Sequence, residues 1–263
     1  MQGYSSGPAE FLEVGSAAPR ADFELAKKPA SLARLYAAFS RVSAASPETP
    51  AARAAELQRI CQSVCDLHGF LIERSGAAPS GPAVFVSNHL GYIDPIVLCS
   101  LVSCAPIAKH EIQSWPCIGT PLARLNVTFV QRGLAHSGAR VLKSCLRNLR
   151  SGVSVLNFPE GTTSRGGLLP FHLGAFWLAR YSGVPLVPIA VDFETLDLCW
   201  VDDEALLPHY AKLCLGTLQG KRRKVRVALG EALDPAQFRS ELDLCCAARM
   251  RIAELRRPYA KSA

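Results

Sequence analysis

Ala83-Val84-Phe85-Val86-Ser87-Asn88-His89-Leu90-Gly91-Tyr92-Ile93-Asp94-Pro95 is the stretch that decides how this chain folds. Its apolar start has the length and β-branched content of a buried strand. Asp94-Pro95 then opens a helix, with Asp94 expected as N-cap and proline at the first helical position. Positions five apart on a continuous helix face different ways, so His89 and Asp94 meet only if the chain turns back between them, a turn that Gly91 permits. A carboxylate placed there fixes the imidazole tautomer and leaves the other ring nitrogen to take a proton. The spacing thus predicts a general base with its orienter. A structural reading of the same residues stands beside it, in which Asp94 only caps its helix and His89 is a hydrogen-bonded turn residue.

Two further strand ends point the same way. Val153-Ser154-Val155-Leu156-Asn157-Phe158-Pro159 breaks into Glu160-Gly161-Thr162-Thr163-Ser164-Arg165-Gly166-Gly167. A glycine-rich turn with exposed N–H groups, three hydroxyls and Arg165 suits an anionic headgroup, and Glu160 is placed to hold a polar ligand or orient a neighbouring arginine. Val127-Thr128-Phe129-Val130-Gln131-Arg132-Gly133 is a third short strand, ending in a cation. Taken singly, the first is an ordinary Pro/Gly loop and the second a solvated charge. Together, three strands delivering a His/Asp pair, an arginine and a Glu/Thr/Arg loop to their carboxyl ends describe one site in an α/β sheet.

These segments resemble the glycerophosphate and lysophospholipid acyltransferase family, whose best-known members make phosphatidic acid from 1-acylglycerol-3-phosphate. Asn88-His89 through Asp94 is similar to its catalytic block and Phe129 to Gly133 to its acceptor-binding arginine block. Phe158-Pro159-Glu160-Gly161-Thr162 resembles the third block and Val187-Pro188-Ile189-Ala190 the fourth. Lys109 sits where the family commonly places a lysine. The resemblance covers roughly residues 60 to 235. It implies that His89 deprotonates the free hydroxyl of a lysolipid, 1-acylglycerol-3-phosphate foremost, for attack on the thioester of an acyl-CoA or acyl-carrier protein. Asp94 would hold the imidazole, and Lys109, Arg132, Glu160, Gly161, Thr162, Thr163 and Arg165 would bind the acceptor. No metal or cofactor is implied beyond the thioester co-substrate. Backbone N–H groups near Gly91 or in the Gly161 turn are candidates for the oxyanion site.

This sequence departs from the family at one position. Phosphate-binding members commonly carry arginine directly after Glu-Gly-Thr, where this chain has Thr163. That threonine, with Trp200-Val201-Asp202-Asp203 and Leu207-Pro208-His209, is similar to the branch that acylates lyso-ornithine lipids. A catalytically silent lipid-binding relative is the other class in view, and retention of His89, Asp94, Arg132 and Glu160 together favours the enzyme.

Other motifs fail on context. Gly3-Tyr4-Ser5-Ser6-Gly7 fits a nucleophile-elbow pattern but has no preceding strand. Gly216-Thr217-Leu218-Gln219-Gly220-Lys221 has too few residues between its glycines for a P-loop, and Arg222 stands where a magnesium-binding hydroxyl belongs. The ten cysteines lie mostly in apolar stretches without metal spacing, as small core residues in a reducing compartment. With no N-terminal signal sequence, a cytoplasmic protein peripheral on the inner face of the cell membrane is expected.

With 263 residues, 49% of them hydrophobic, the chain can bury one α/β domain. The expected fold is α/β, a mixed, largely parallel sheet flanked by helices with an N-terminal amphipathic helical segment. Residues 1–50 form a flexible start and that helix, and 51–263 the acyltransferase domain. Ser31 to Ala44 aligns Leu32, Leu35, Tyr36, Phe39 and Val42 on one face, too short and charged to cross a bilayer. A second helical pattern runs through Leu57, Ile60, Cys61, Val64, His68 and Leu71. Each could lie on a membrane or pack on the domain. Leu90 to Ala108 predicts a buried helix leading into a strand, Ala135 to Arg150 and Phe171 to Ser182 helices, and Pro185 to Val191 and Lys224 to Leu229 strands. Within a net charge of +7, Lys221-Arg222-Arg223-Lys224 is the one cluster. It suits an anionic membrane surface or an acidic carrier protein, or is a solvated hairpin. Without interleaved stacking aromatics it does not suit nucleic acid.

Overall fold

The computed structural model describes residues 12–13, 33, 37–42, 44–115, 118–131, 135–164, 166–195, 198–199 and 206–257. Its centre is an eight-stranded sheet in the order β1-β2-β8-β7-β3-β6-β4-β5. The strands are β1 (Leu12–Glu13), β2 (Phe70–Ser75), β3 (Val84–Ser87), β4 (Cys104–Lys109), β5 (Thr128–Val130), β6 (Ser154–Asn157), β7 (Leu186–Phe193) and β8 (Arg223–Leu229). From β7 through β3, β6 and β4 to β5 every neighbour is parallel. Antiparallel pairing occurs at β7/β8 and β1/β2, whereas β2 and β8 are parallel to each other. The sheet is mixed and largely parallel, as the strand–helix alternation predicts.

Helices cover both faces: α1 (Pro50–His68), α2 (Asp94–Leu101), α3 (Gly119–Arg124), α4 (Ala135–Arg150), α5 (Gly174–Ser182), α6 (Leu206–Leu218) and α7 (Glu241–Leu255). The period-two alternation of the strands divides the core. Phe85 of β3 and Leu156 of β6 pack with Leu57 and Ile60 of α1, Val97 and Leu98 of α2 and Leu213 of α6. Val84, Val86 and Val155 point the other way, to Cys145 of α4, Phe176 and Leu178 of α5 and Leu244 of α7. Parallel strands covered on both sides must be apolar on both sides, which is why 83–86 is a continuous run. Residues 37–42 are helical, and Val42 is buried in the α1/α2 core with Ala38 and Phe39 against it. The rest of the Ser31 to Ala44 pattern lies almost wholly outside the described residues.

Two expectations are corrected. The second helical pattern ends at His68, not Leu71: Gly69 is left-handed at φ 68° and its N–H bonds back to Asp66 O, so Phe70 begins a strand. A helix C-cap followed at once by a strand leaves no loop signature, and β2 goes unseen in the sequence. The basic cluster is not one surface patch. Lys221, Arg222 and Lys224 are exposed, but Arg223 is only 2% exposed. Its guanidinium donates to the carbonyls of His68 at 2.9 Å and Leu213 at 3.1 Å. Gly216 makes room for it, since a Cβ there would stand 2.3 Å from Arg223 Nη2. A buried guanidinium is tolerated because carbonyls accept from both of its terminal nitrogens.

Candidate active site

Strand β3 ends in Ser87-Asn88-His89, and Asn88 locks that end to β7 by a pair of bonds, Nδ2 to Val191 O at 2.9 Å and Val191 N to Oδ1 at 2.8 Å. The chain then turns back as the dyad requires. His89 Nδ1 donates to Asp94 Oδ2 at 2.7 Å, which leaves Nε2 as the proton acceptor. The His89 side chain is 17% exposed and Asp94 fully buried. Asp94 is not the N-cap. Ile93 holds that place with no side-chain cap bond, and Asp94 is the first residue of α2. Its Oδ2 reaches back instead to the N–H groups of Leu90 at 2.5 Å and Gly91 at 2.9 Å. Nor does Gly91 use glycine's freedom, as it is absent from the positive-φ glycines of the described residues. The carboxylate itself winds the turn, with Oδ2 gathering two N–H groups and the imidazole while Oδ1 finds no partner among the described residues.

Strand β6 supplies the other wall. Phe158 stacks on the His89 ring with centroids 4.2 Å apart and 22° between planes. Glu160 turns inward. It is buried, Oε1 accepting from His89 N at 2.9 Å and Oε2 from Leu169 N at 2.8 Å. Burial pushes its carboxyl above the ordinary glutamate value, and those two N–H bonds partly offset this. Glu160 thus ties the histidine's backbone to the turn after β6, a positioning task in place of the expected acceptor contact. Ser164 N closes the tie from the other side, donating to His89 O at 2.9 Å. Two of the expected oxyanion donors are also engaged, Gly91 N on Asp94 and Gly161 N on Phe158 O at 3.1 Å.

An apolar cavity of about 800 Å³ is lined by His89, and by Lys109, Gly161, Thr162 and Thr163. Gly161 is left-handed at φ 70°, and His172 lies where a Gly161 side chain would go, 3.0 Å from an ideal Cβ. Thr163 is 5% exposed, and its Oγ1 finds no hydrogen-bond partner among the described residues. Arg132 and Arg165 lie outside the described residues. The sequence reading brought together His89, Asp94, Lys109 and residues 161–163, but missed Phe158 as a stacking partner, His172 over Gly161, and Arg256. Arg256, at the end of α7, donates to Asp192 Oδ1 at 2.7 Å and to Gly166 O, holding the end of the 160–167 loop. Nothing local marks an arginine 90 residues from the carbonyl it binds. Cys145, which lines the cavity, is not a competing nucleophile, since burial pushes its thiol up to about 12.

His89, its imidazole held by buried Asp94, thus lines a large apolar cavity. A family model described as Acyltransferase matches residues 70–192. The lyso-ornithine lipid O-acyltransferase of Pseudomonas aeruginosa is 30% identical over 188 residues, 69% of each chain. The chloroplastic 1-acyl-sn-glycerol-3-phosphate acyltransferase of Brassica napus is 35% identical over 176 residues, 66% of this chain and 46% of that one. This chain belongs to the acyltransferase family, in the O-acyltransferase class. Its fold is that of the 1-acyl-sn-glycerophosphate acyltransferase of Thermotoga maritima, with a TM-score of 0.57 at 21% identity over 87% of this chain and 96% of that one.

Proposed function

We propose that the protein transfers a fatty acyl group from a thioester, acyl-CoA or acyl-carrier protein, to the free hydroxyl of a lysolipid, with 1-acylglycerol-3-phosphate as the acceptor. The observation that carries this reading is His89, held through Nδ1 by buried Asp94, in the wall of an apolar cavity that it lines with Lys109. Nε2 takes the hydroxyl proton as the oxygen attacks the thioester carbonyl. The tetrahedral intermediate then expels the thiolate, which receives that proton from the imidazolium, giving an ester and a thiol. Base catalysis of this kind supplies about 10² to 10⁴-fold, and holding two substrates in register supplies more. Lys109 provides a cation beside the phosphate.

A second acceptor, a lyso-ornithine lipid, is favoured by Thr163. A small, buried hydroxyl stands where an arginine would pair with phosphate in a bidentate bond, and the Pseudomonas relative is named for that substrate. The test is thioester consumption with both lysolipids, in wild type and in Thr163→Arg. Wild-type preference for the phosphate acceptor by orders of magnitude, unchanged in the variant, removes the second reading. No consumption with any lysolipid removes both.

The reaction is proposed to take place at an anionic membrane surface. No helix among the described residues is long and apolar enough to cross a membrane. Trp115 and Ile118 line the cavity and are 38% and 37% exposed, a placement suited to the headgroup level of a bilayer. Flotation with anionic and neutral vesicles tests it, and equal binding to both removes the electrostatic part.

A further inference from the structure

The cavity belongs to both hydrophobic cores. One arm runs along α1, past Leu57, Ile60 and Val64, on the face where Leu57 and Ile60 pack. The other runs between α4 and α5, past Leu142, Cys145 and Leu178, on the opposite face. The sheet separates these cores, and the cavity is lined at the strand ends by Lys109 of β4, Val130 of β5 and Asn157 of β6, in company with His89.

We infer that the two arms hold two hydrocarbon chains at once and that the α4–α5 arm takes the chain already carried by the acceptor. The inference rests on the acyl-transfer reading above and deepens it. A chain whose reacting end lies at His89 can enter one face of the sheet only, leaving the other arm vacant. The proposed reaction brings two such chains to one point, the thioester's and the lysolipid's. Assignment follows from what borders each arm. Gly161, Thr162, Thr163 and His172 form a polar edge that leads directly into Gly174 at the start of α5. A headgroup seated on that edge sends its tail between α4 and α5. The α1 arm, bordered by Tyr92, Ile93 and Ile96 beside the dyad, takes the donor chain.

Two glycines make the test practical. A Cβ at Gly138 of α4 or Gly174 of α5 would meet no atom within 4 Å, so Gly138→Leu narrows the arm and replaces a poor helix former with a good one. Each buried methylene contributes about 0.8 kcal/mol, or about fourfold, so blocking two or three of them costs at least about tenfold. Lysolipids of eight and sixteen carbons, at fixed mole fraction in mixed micelles, are compared as acceptors, and acyl-CoAs of the same lengths as donors. Gly138→Leu is expected to lower kcat/KM for the long acceptor at least about tenfold and to leave the donor profile unchanged. Val64→Phe, in the other arm, is expected to do the reverse. Equilibrium binding of a sixteen-carbon lysolipid without donor gives a readout that needs no turnover, weakened by Gly138→Leu and not by Val64→Phe. A Gly138→Leu enzyme that shifts the donor profile, or shifts neither, overturns the assignment. Lysolipid binding that follows the expected pattern without any transfer instead overturns the acyl-transfer reading and leaves the arm standing.

Discussion

The turn after β3 and the loop after β6 are built on opposite plans. In the first, the bonds that wind the turn and orient the imidazole close within five residues, from Asp94 to Leu90, Gly91 and His89. In the second, the shaping bonds come from afar: Glu160 reaches His89, Ser164 returns to it, and Arg256 arrives from the last helix. A short closed loop carries little closure entropy and holds its geometry on its own. A loop held by distant partners changes when any of them changes. The His89–Asp94 pairing thereby depends on local contacts, while the loop that carries Thr163 depends on distant ones.

The largest effect that sharpens this contrast is His89→Ala, expected to lower kcat by about 10³-fold while thermal unfolding shifts by no more than about 2 °C. Transfer at near wild-type rate by the folded variant would remove the base. Asp94→Asn follows, with kcat down about 10²-fold or more. Because Asp94 holds three donors and caps nothing, a stability loss of about 1–3 kcal/mol accompanies it, read by denaturant titration. An unchanged midpoint means that the turn is wound by something else.

Arg256→Ala probes the loop plan. Acceptor KM is expected to rise about tenfold while donor KM stays within about twofold, since Gly166 is released and the His89–Asp94 bond is not. An equal fall in kcat for all substrates breaks the contrast, because the two regions then move together. Thr163→Val is milder. Removing a buried hydroxyl without a partner is neutral or stabilising by a few tenths to about 1 kcal/mol, whereas acceptor KM rises about fivefold if Oγ1 contacts the headgroup. An unchanged KM places headgroup selection elsewhere on the loop.

The smallest effect is in pH. The Glu160 carboxyl is raised above its ordinary 4.5 by burial, so the folded protein binds that proton more tightly than the unfolded chain. Its contribution makes stability fall as pH rises from about that ordinary value through the raised one, then levels off. The difference in stability between wild type and Glu160→Gln, followed by thermal unfolding across that window, carries this slope. A difference that grows with pH contradicts burial as the dominant cause.

Read alone, residues 83–95 determined much: the strand, the reversal, the pairing of His89 with Asp94 and the sheet class. Each depends on contacts a few residues apart, and local contacts are written in local spacing. The same spacing was silent on which group winds the turn, because an aspartate at a helix start has equal reason to cap forwards or to reach back. Only the tertiary structure decided that, since the choice turns on which N–H groups burial leaves in need of an acceptor. It alone decided that Glu160 is a tie rather than a ligand contact, that Arg223 is inside, and that one cavity joins two cores. Those outcomes depend on partners tens of residues away, and the free energy of a buried polar group is set by what surrounds it in space.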